Sequence, residues 1–282
     1  MAKIVGNVVL SNEEHILKEI APIWGTYPVD EWVIFNDRST DGTIDVLEKN
    51  ISSKLTVIEN DKDGPFHETY ARDRMLEYSK EEGADFIISI DADELLSADV
   101  AENLYEVLQV HEKYDVHYFW YNFVNTIGYR RNDSAYKQNY KSFIMPVKHT
   151  ASFKQYNQLN IHCPRTAPVH LPKVAAREGG LLHFQSIDRE FYALKQLWYK
   201  HWEYVDLGQS VENLNVKYDP AVNGLNFEEI ETPPHIIQGI KFDPTIFKEL
   251  LVIKGYREYI NEHKVDELIT FGKEYLQDDN KK

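Results

Sequence analysis

Four apolar segments, each followed by a helical pattern, constrain the fold of this chain more than any other feature. The apolar segments are Ile4–Leu10, Glu31–Asn36, Leu55–Glu59 and Asp85–Ile90, and the helical patterns are Glu13–Trp24, Thr43–Asn50, His67–Glu82 and Asp99–His111. Strands that alternate with helices of this length predict a parallel sheet with right-handed crossovers. We therefore predict an α/β fold whose central sheet is mainly parallel.

The pattern changes after residue 110. Polar, proline and histidine residues interrupt any long period between residues 148 and 180, which predicts a binding loop or a lid. The remaining patterns predict strands at Val116–Val124, Tyr140–Val147 and Leu181–Phe184, a helix at Asp188–Val205, and a mostly helical, charged segment at Thr245–Leu276.

Composition excludes some classes of function. The 282 residues carry a net charge of −15, which argues against a protein that holds nucleic acid through phosphate contacts. The one cysteine, Cys163, excludes an intramolecular disulfide and suits a reducing compartment. The N-terminus is too short in apolar length for a signal sequence, and no window is apolar over a membrane-spanning length. We expect a cytoplasmic protein without a membrane span.

Two carboxylates, Asp91 and Asp93, follow the strand at Asp85–Ile90 directly. Open α/β sheets bind ligands at the edge where the strands end. Carboxylate oxygens at that edge are suitable ligands for Mg²⁺ or Mn²⁺, usually shared with phosphate oxygens. The structural alternative is that one of them caps the helix that begins near Ser97 or Asp99.

A polar turn, Asn36–Thr43, follows the second strand. Ser39, Thr40 or Asp41 can cap the next helix, which is the structural explanation of this cluster. Asp37 lies at the strand end and is not needed for capping. Its carboxylate is suited to accept a hydrogen bond from the imide N–H of a nucleobase.

Taken together, these motifs resemble those of family 2 glycosyltransferases, which have the nucleotide-sugar-binding fold called GT-A. The resemblance rests on Ser11–Glu14 after the first strand, the Asn36–Thr43 turn, Ala71–Asp73 on a helix, and Ile90–Glu94. It extends over about residues 3–110 and weakens beyond. Each motif alone has little specificity for the family, but four motifs in this order on the expected elements form a specific pattern.

The resemblance implies an enzyme and a domain arrangement. We expect a GT-A domain at residues 1–230, with a nucleotide-binding half at 1–110 and an acceptor half at 111–230, followed by a helical extension at 231–282. We expect transfer of a sugar from a nucleotide-sugar donor, with UDP as the expected nucleotide, to a glycan or another hydroxyl acceptor. Mn²⁺ or Mg²⁺ is the expected cofactor, and nucleic acid is not expected as a partner.

The resemblance also implies roles for single residues. Leu10 and Asn12 are expected to line the nucleoside pocket, Asp37 to bind the base, Arg72 to lie near the nucleotide, Asp91 to contact the ribose or the water shell of the metal, and Asp93 to coordinate the metal directly. Two positions depart from the family pattern, because Asn36 stands where an acidic residue is common and Asp73 where an asparagine is common. These departures leave the choice of nucleotide open.

A third metal ligand is expected from His183, which follows a short apolar strand, since relatives of this fold often place a histidine late in the domain. The alternative is a hydrogen-bonded histidine of the core. His149, His162 and His170 are further candidates in a loop where solvent exposure is the ordinary state.

The sequence leaves the catalytic base open among Asp133, Asp188 and Glu190, none of which has a motif around it. Asp188 is also placed to cap its helix. Two further groups have a functional and a structural interpretation. Arg165, Lys173 and Arg177 could form a lid over a diphosphate, or be solvated loop residues. Trp120 and Tyr121 could stack on a sugar ring, or belong to the core.

Two other functions fit parts of the pattern. A Mg²⁺-dependent phosphohydrolase of the haloacid dehalogenase type also has an apolar strand that ends in Asp-x-Asp, with the first Asp as nucleophile. Leu95 departs from that motif, the pair follows three complete β/α units, and the Asp37 turn would have no role. A non-catalytic sugar-nucleotide-binding module of the same fold is the second alternative.

Overall fold

The computed structural model describes residues 2–132, 138–156, 162–223, 228–248, 250–269 and 276. The strands are β1 (Ile4–Leu10), β2 (Glu31–Asn36), β3 (Lys54–Glu59), β4 (Phe86–Asp91), β5 (Glu94–Leu96), β6 (Asp115–Val124), β7 (Thr126–Arg131), β8 (Tyr140–Lys141), β9 (Ile144–Pro146), β10 (Lys173–His183) and β11 (Glu229–Glu231). The α-helices are α1 (Glu14–Trp24), α2 (Thr43–Asn50), α3 (Glu68–Glu81), α4 (Ala98–Glu102), α5 (Leu104–His111), α6 (Arg189–Val205), α7 (Val211–Val222) and α8 (Leu250–Glu262).

The central sheet has the strand order β3-β2-β1-β4-β9. Its first four strands run parallel, and β9 runs antiparallel to β4. This confirms the predicted α/β fold with a mainly parallel sheet. Leu10 of β1 lies opposite Asn36 of β2, and Val9 lies opposite Asp91 of β4. The three strands therefore end at the same edge, and the residues that follow them share that edge.

A tryptophan pair explains the glycine in β1. Trp24 of α1 and Trp32 of β2 are fully buried and stack with ring centroids 5.1 Å apart. A Cβ atom at Gly6 would lie 2.4 Å from Cε3 of Trp32, far inside van der Waals contact. Only a residue without a side chain leaves room for this ring, so Gly6 is part of the packing of the sheet.

The helical pattern at Asp99–His111 is divided into two helices, which the sequence does not predict. The break lies at Asn103, whose φ of −112° and ψ of 29° are not helical. Its side-chain amide donates to the backbone oxygen of Asp99 over 2.8 Å. An asparagine side chain that bonds the backbone offers an alternative to the helical ladder, so the chain can end α4 and begin α5 here.

The predicted loop at 148–180 contains the first part of β10, which begins at Lys173 instead of Leu181. The strand is exposed over most of residues 173–178, so no alternation of apolar residues marks it in the sequence. Two other elements, β7 and α7, also have no clear sequence signal, and α7 contains Pro220.

A second group of strands lies beside the end of β4. β10 pairs antiparallel with β5, so that His183 lies opposite Glu94. β6 lies next to β10 in the strand order and pairs with β8, where Tyr118 lies opposite Lys141. A Cβ atom at Gly180 would lie 2.2 Å from the backbone oxygen of Phe119, so the close approach of β10 and β6 requires glycine.

The chain divides into two compact units. Unit 1 comprises Met1–Tyr121, Ser134–His183 and Thr232–Phe242, and unit 2 comprises Asn122–Asp133, Phe184–Glu231 and Asp243–Lys282. Unit 1 holds the parallel sheet. In unit 2, α6 packs against α7 and α8 around a buried cluster of Leu194, Leu197, Val222 and Ile260. The domain boundary at residue 230 stays a prediction. None of the helices in the described ranges has the length and apolarity needed to cross a membrane.

We expect the stability of the protein to fall as the pH drops from about 6.5 to about 4, because His111 is buried in its neutral form. Burial lowers the pKa of His111 to about 4. Over this pH range the unfolded chain takes up a proton that the folded chain does not, which favours unfolding by up to about 3 kcal/mol. Urea unfolding at several pH values should show a smaller loss for His111→Phe than for the wild type.

The matched control is His170→Phe, because His170 is exposed. Its loss of stability between pH 6.5 and 4 should equal that of the wild type. Parallel stability curves for His111→Phe and the wild type would contradict the assignment.

Candidate active site

The chain makes a tight turn between Asp91, where β4 ends, and Glu94, where β5 begins. The backbone N–H of Asp91 closes this turn by donating to Oε2 of Glu94 over 2.9 Å. The N-cap residue of α4 is Ser97. Capping of α4 therefore does not account for Asp91 and Asp93, and the pair lies at the carboxyl edge of the central sheet.

Two arginines bind the Asp91 carboxylate. Arg72 Nη2 lies 2.9 Å from Oδ1, and Arg165 Nη2 lies 3.1 Å from Oδ2. Arg72 is held in turn by Oε1 of Glu68, 2.6 Å from its Nη2. Burial by itself would raise the pKa of the Asp91 carboxyl, but the charges of Arg165 and Arg72 hold it below its ordinary value. Asp91 is therefore an ionised group with a fixed orientation.

Glu94 is fully buried and accepts hydrogen bonds from four groups. Its carboxylate accepts from the backbone N–H of Asp91, from Arg165 Nη1, and from Trp120 Nε1 over 2.7 Å. Its backbone oxygen accepts from Trp24 Nε1 over 3.0 Å. Burial raises the pKa of Glu94, and Arg165 opposes that shift. A buried carboxylate is stable only when it is fully paired, so these contacts fix the relative positions of the groups involved.

Asp93 and His183 face each other beside this cluster. Oδ2 of Asp93 lies 3.4 Å from Nε2 of His183, and both side chains are largely buried. His183 also stacks on Trp120, with ring centroids 4.3 Å apart and an interplanar angle of 28°. The pairing of β10 with β5 brings His183 next to the Asp91–Glu94 turn. The predicted metal residues therefore lie together in unit 1.

The Asp93–His183 pair fits part of the ligand sphere of a divalent ion. Ligands about 2.1 Å from an octahedral ion lie about 3 Å from their neighbours, close to the observed separation. Within the described ranges, no group of three or more His, Cys, Asp or Glu side chains is arranged to hold a metal ion. The pair would therefore share an ion with oxygens of a bound molecule and with water, as Mg²⁺ and Mn²⁺ commonly do.

The turn after β2 brings together the residues predicted to bind a nucleoside. The backbone N–H of Asp37 donates to the oxygen of Leu10 over 2.9 Å. Oδ1 of Asp37 accepts from Asn60 Nδ2 over 2.7 Å and from Arg38 Nε over 2.8 Å. Oδ2 has no such partner among the described residues. Asn12 and Arg38 have φ values of 53° and 56°, a conformation that is uncommon outside glycine and is frequent at functional sites.

Other residues of the turn support the helix that follows. Oδ1 of Asp41 accepts from the backbone N–H of Thr43 over 3.0 Å, where α2 begins. Oδ1 of Asn12 accepts from the backbone N–H of Thr40 over 2.8 Å, which joins the ends of β1 and β2. Asp37 makes neither contact, so the helix start does not explain its presence.

The two departures from the family pattern have structural partners. Asn36 donates through Nδ2 to Oε2 of Glu59 over 2.9 Å and accepts from the backbone N–H of Ser39 over 3.1 Å. Oδ1 of Asp73 accepts from the backbone N–H of Phe153 over 3.0 Å. Both side chains hold neighbouring segments of the chain in place.

The candidate bases belong to unit 2 or lie outside the described residues. Asp133 lies outside them. Asp188 caps α6 by accepting from the backbone N–H of Phe191 over 2.9 Å, as its position before the helix suggests. Glu190 is exposed in the first turn of the same helix. The geometry assigns none of the three to the reaction.

The remaining candidates differ in exposure. Arg165 is largely shielded from solvent and forms ion pairs with Asp91 and Glu94, so it is not a solvated loop residue. Lys173 and Arg177 on β10 and His162 and His170 in the preceding loop are exposed, His149 is half-buried, and Tyr121 is buried.

Two residues of this cluster, Glu94 and Lys141, cannot be assigned a role from the sequence alone. The role of Glu94 depends on the partners that β6 and the Arg165 loop supply, which no local pattern shows. Lys141 on β8 has no motif around it, yet its Nζ lies 5.1 Å from the centre of the Trp120 ring. The only sequence signal available is the position of Glu94 directly after the Asp91–Asp93 motif.

We expect Arg165→Met to destabilise the protein by about 3–5 kcal/mol, because it leaves the buried Glu94 carboxylate without its cation. In a Glu94→Gln background the same change should cost about 1–3 kcal/mol less, since no buried charge is left unpaired. Urea unfolding of the two single variants and the double variant measures this coupling.

The exposed pair Arg74–Glu77, with 3.7 Å between Nη1 and Oε2, is the matched control. Its coupling in the corresponding Arg→Met and Glu→Gln cycle should stay below about 1 kcal/mol. Additive effects of the Arg165 and Glu94 substitutions would contradict the pairing.

The chain was compared with known proteins. It is similar to S. aureus TarS, with 12% identity over 94% of this chain and 50% of that chain and a TM-score of 0.44, so it spans half of that TarS chain. A TarS 1-349 structure in complex with UDP is similar with 14% identity over 78% of this chain and 69% of that chain, at a TM-score of 0.45.

M. tuberculosis glucosyl-3-phosphoglycerate synthase is similar over less of the chain, with 18% identity, coverage of 42% of this chain and 45% of that chain, and a TM-score of 0.33. These TM-scores are too low for conclusions about function. The search of curated proteins gives no match. Residues 9–169, more than half of the chain, match the family described as "Glycosyl transferase family 2". The chain therefore belongs to glycosyl transferase family 2.

Proposed function

We propose that this protein transfers a sugar from a UDP-sugar to a hydroxyl group, with Mn²⁺ or Mg²⁺ bound beside the diphosphate. One observation carries the proposal: the Asp37 turn and Asp93 follow β2 and β4, two strands of one sheet that end at a common edge, and His183 of β10 lies beside Asp93. Ligands of open α/β sheets bind at this edge. Family membership supports sugar transfer, and it does not favour the phosphohydrolase alternative.

Asp37 is the residue that we assign to the nucleobase. Asn60 and Arg38 both donate hydrogen bonds to Oδ1 and so fix the orientation of the carboxylate. Oδ2 is then the oxygen that accepts from the base. Uracil carries an imide N–H at N3, which donates to a carboxylate oxygen. Cytosine has an acceptor at the same position, so a carboxylate there favours uracil. Leu10 and Asn12 complete the nucleoside side of the site.

We assign the diphosphate of the donor to the part of the site that contains Asp93 and His183. Asp93 and His183 would hold a divalent ion, which supplies Lewis-acid stabilisation of the negative charge on the departing diphosphate. Both oxygens of Asp91 accept from arginines, so we assign Asp91 to the ribose or to the water shell of the ion. Arg72 and Arg165 fix this carboxylate and add positive charge to the diphosphate side.

The acceptor in this proposal is a hydroxyl group on a glycan or another molecule. The net charge of −15 does not favour a nucleic-acid acceptor. The catalytic base is left open, and Asp188 caps α6. The buried Cys163 agrees with the cytoplasm as the proposed compartment.

We expect UDP with Mn²⁺, at about 100 times the dissociation constant, to raise the free energy of unfolding by about 2.7 kcal/mol. Asp93→Asn and His183→Gln should lose most of the Mn²⁺-dependent part of this stabilisation, because each removes one proposed ligand. Thermal unfolding with UDP alone, Mn²⁺ alone and both together separates the contributions.

Asp63→Asn is the matched control, since Asp63 is exposed. This variant should respond as the wild type does. A full Mn²⁺-dependent stabilisation in both Asp93→Asn and His183→Gln would place the ion elsewhere.

We expect the wild type to bind UDP about tenfold or more tightly than CDP, since CDP offers no N3–H to Asp37. Asp37→Asn should reduce this preference, because an amide can turn its NH₂ group toward cytosine N3. Isothermal titration with both nucleotides measures the ratio.

The exposed Asp45 provides the control substitution Asp45→Asn, which should keep the preference of the wild type. An unchanged ratio in Asp37→Asn would remove Asp37 from the base contact.

A further inference from the structure

Two cations share the ring of Trp120. Lys141 Nζ lies 5.1 Å from the ring centroid, and Arg165 Cζ lies 5.6 Å from it. Lys141 reaches this place because β8 pairs with β6, where Lys141 lies opposite Tyr118. Trp120 also stacks on His183, so one indole contacts both cations and the histidine proposed to hold a metal ion.

The cations of this cluster are not equally compensated. Arg72 is paired with Glu68 and Asp91, and Arg165 is paired with Asp91 and Glu94. Lys141, in contrast, has no carboxylate within ion-pair distance among the residues that the structure describes. The carboxylates of Glu68, Asp91 and Glu94 thus form their ion pairs with the two arginines.

The surroundings disfavour the charged form of Lys141. Burial lowers the pKa of its ammonium group, and the positive charge of Arg165 lowers it further. Glu94 and Asp91 act in the opposite direction, but they do not offset the first two effects. A half-buried cation with too little negative charge around it gains stability when an anion binds beside it.

We propose that Lys141 is a catalytic residue that binds the diphosphate of the donor and stabilises the charge that develops on it. This inference rests on the proposed function. In the transfer step, the bond between the anomeric carbon and the β-phosphate oxygen breaks, and its electron pair passes to that oxygen. The acceptor hydroxyl oxygen forms the new bond to the anomeric carbon, and its proton passes to a general base. Lys141 donates hydrogen bonds to the phosphate oxygens throughout.

The location of Lys141 suits this role. The Trp120 ring holds the ammonium group by a cation–π contact, which is weak enough to leave its donors available to a ligand. Arg165 is less suited to this role, because its charge is already paired with the carboxylates of Glu94 and Asp91. A fixed cation and a divalent ion would then stabilise the same leaving group.

The test compares ligands with and without phosphates. Isothermal titration in Mn²⁺ should show that Lys141→Met binds UDP about 10-fold to 100-fold more weakly than the wild type, while its uridine affinity stays unchanged. Lys141→Arg should recover most of the UDP affinity, because it restores the positive charge. Lys148→Met, at an exposed lysine of the same segment, should behave as the wild type.

Equal UDP affinities of Lys141→Met and the wild type would overturn the inference, as would an equal weakening of UDP and uridine. If the wild type binds neither UDP nor uridine, the proposed function fails, and inorganic diphosphate then decides the role of Lys141. Weaker diphosphate binding by Lys141→Met than by the wild type supports an anion site. Equal binding, or none by the wild type, overturns it.

Discussion

The buried carboxylate of Glu94 is the group on which the arrangement of the site depends. It accepts from the backbone of Asp91, from Arg165 and from Trp120, and so joins the end of β4, the loop before β10 and the middle of β6. An ionised carboxylate without access to water is costly unless all its partners are present. We therefore expect the loss of any one partner of Glu94 to displace the other two.

The contacts of Glu94 also affect the residues that we assign to the reaction. Trp120, oriented by Glu94, contacts both His183 and Lys141, while Arg165 keeps Asp91 ionised. The register of the parallel sheet is equally important, because it brings the Asp37 turn to the edge where Asp91 lies. We propose that the edge of the sheet binds the nucleoside and that the Glu94 cluster provides charges near the diphosphate.

Much of the first half could be predicted from sequence, because its strands carry apolar residues and the Asp37 and Asp91–Asp93 motifs follow strand ends. The position of Asp91 and Asp93 at a sheet edge follows from the same local signals. The rest depends on contacts between distant segments. The position of His183 beside Asp93 requires the antiparallel pairing of β10 with β5, and most of the first half of β10 is exposed. Lys141 depends on the pairing of the short strand β8, which no local pattern predicts.

In the proposed function, a nucleotide and a divalent ion share the carboxyl edge of this sheet. Anomalous diffraction from a crystal grown with Mn²⁺ and UDP tests it most directly. We expect one Mn²⁺ ion bound by Asp93, His183 and phosphate oxygens, with uracil at Asp37 and with Arg165 still bridging Asp91 and Glu94. A manganese peak away from both Asp93 and His183, or a nucleotide bound at another edge of the sheet, would contradict it.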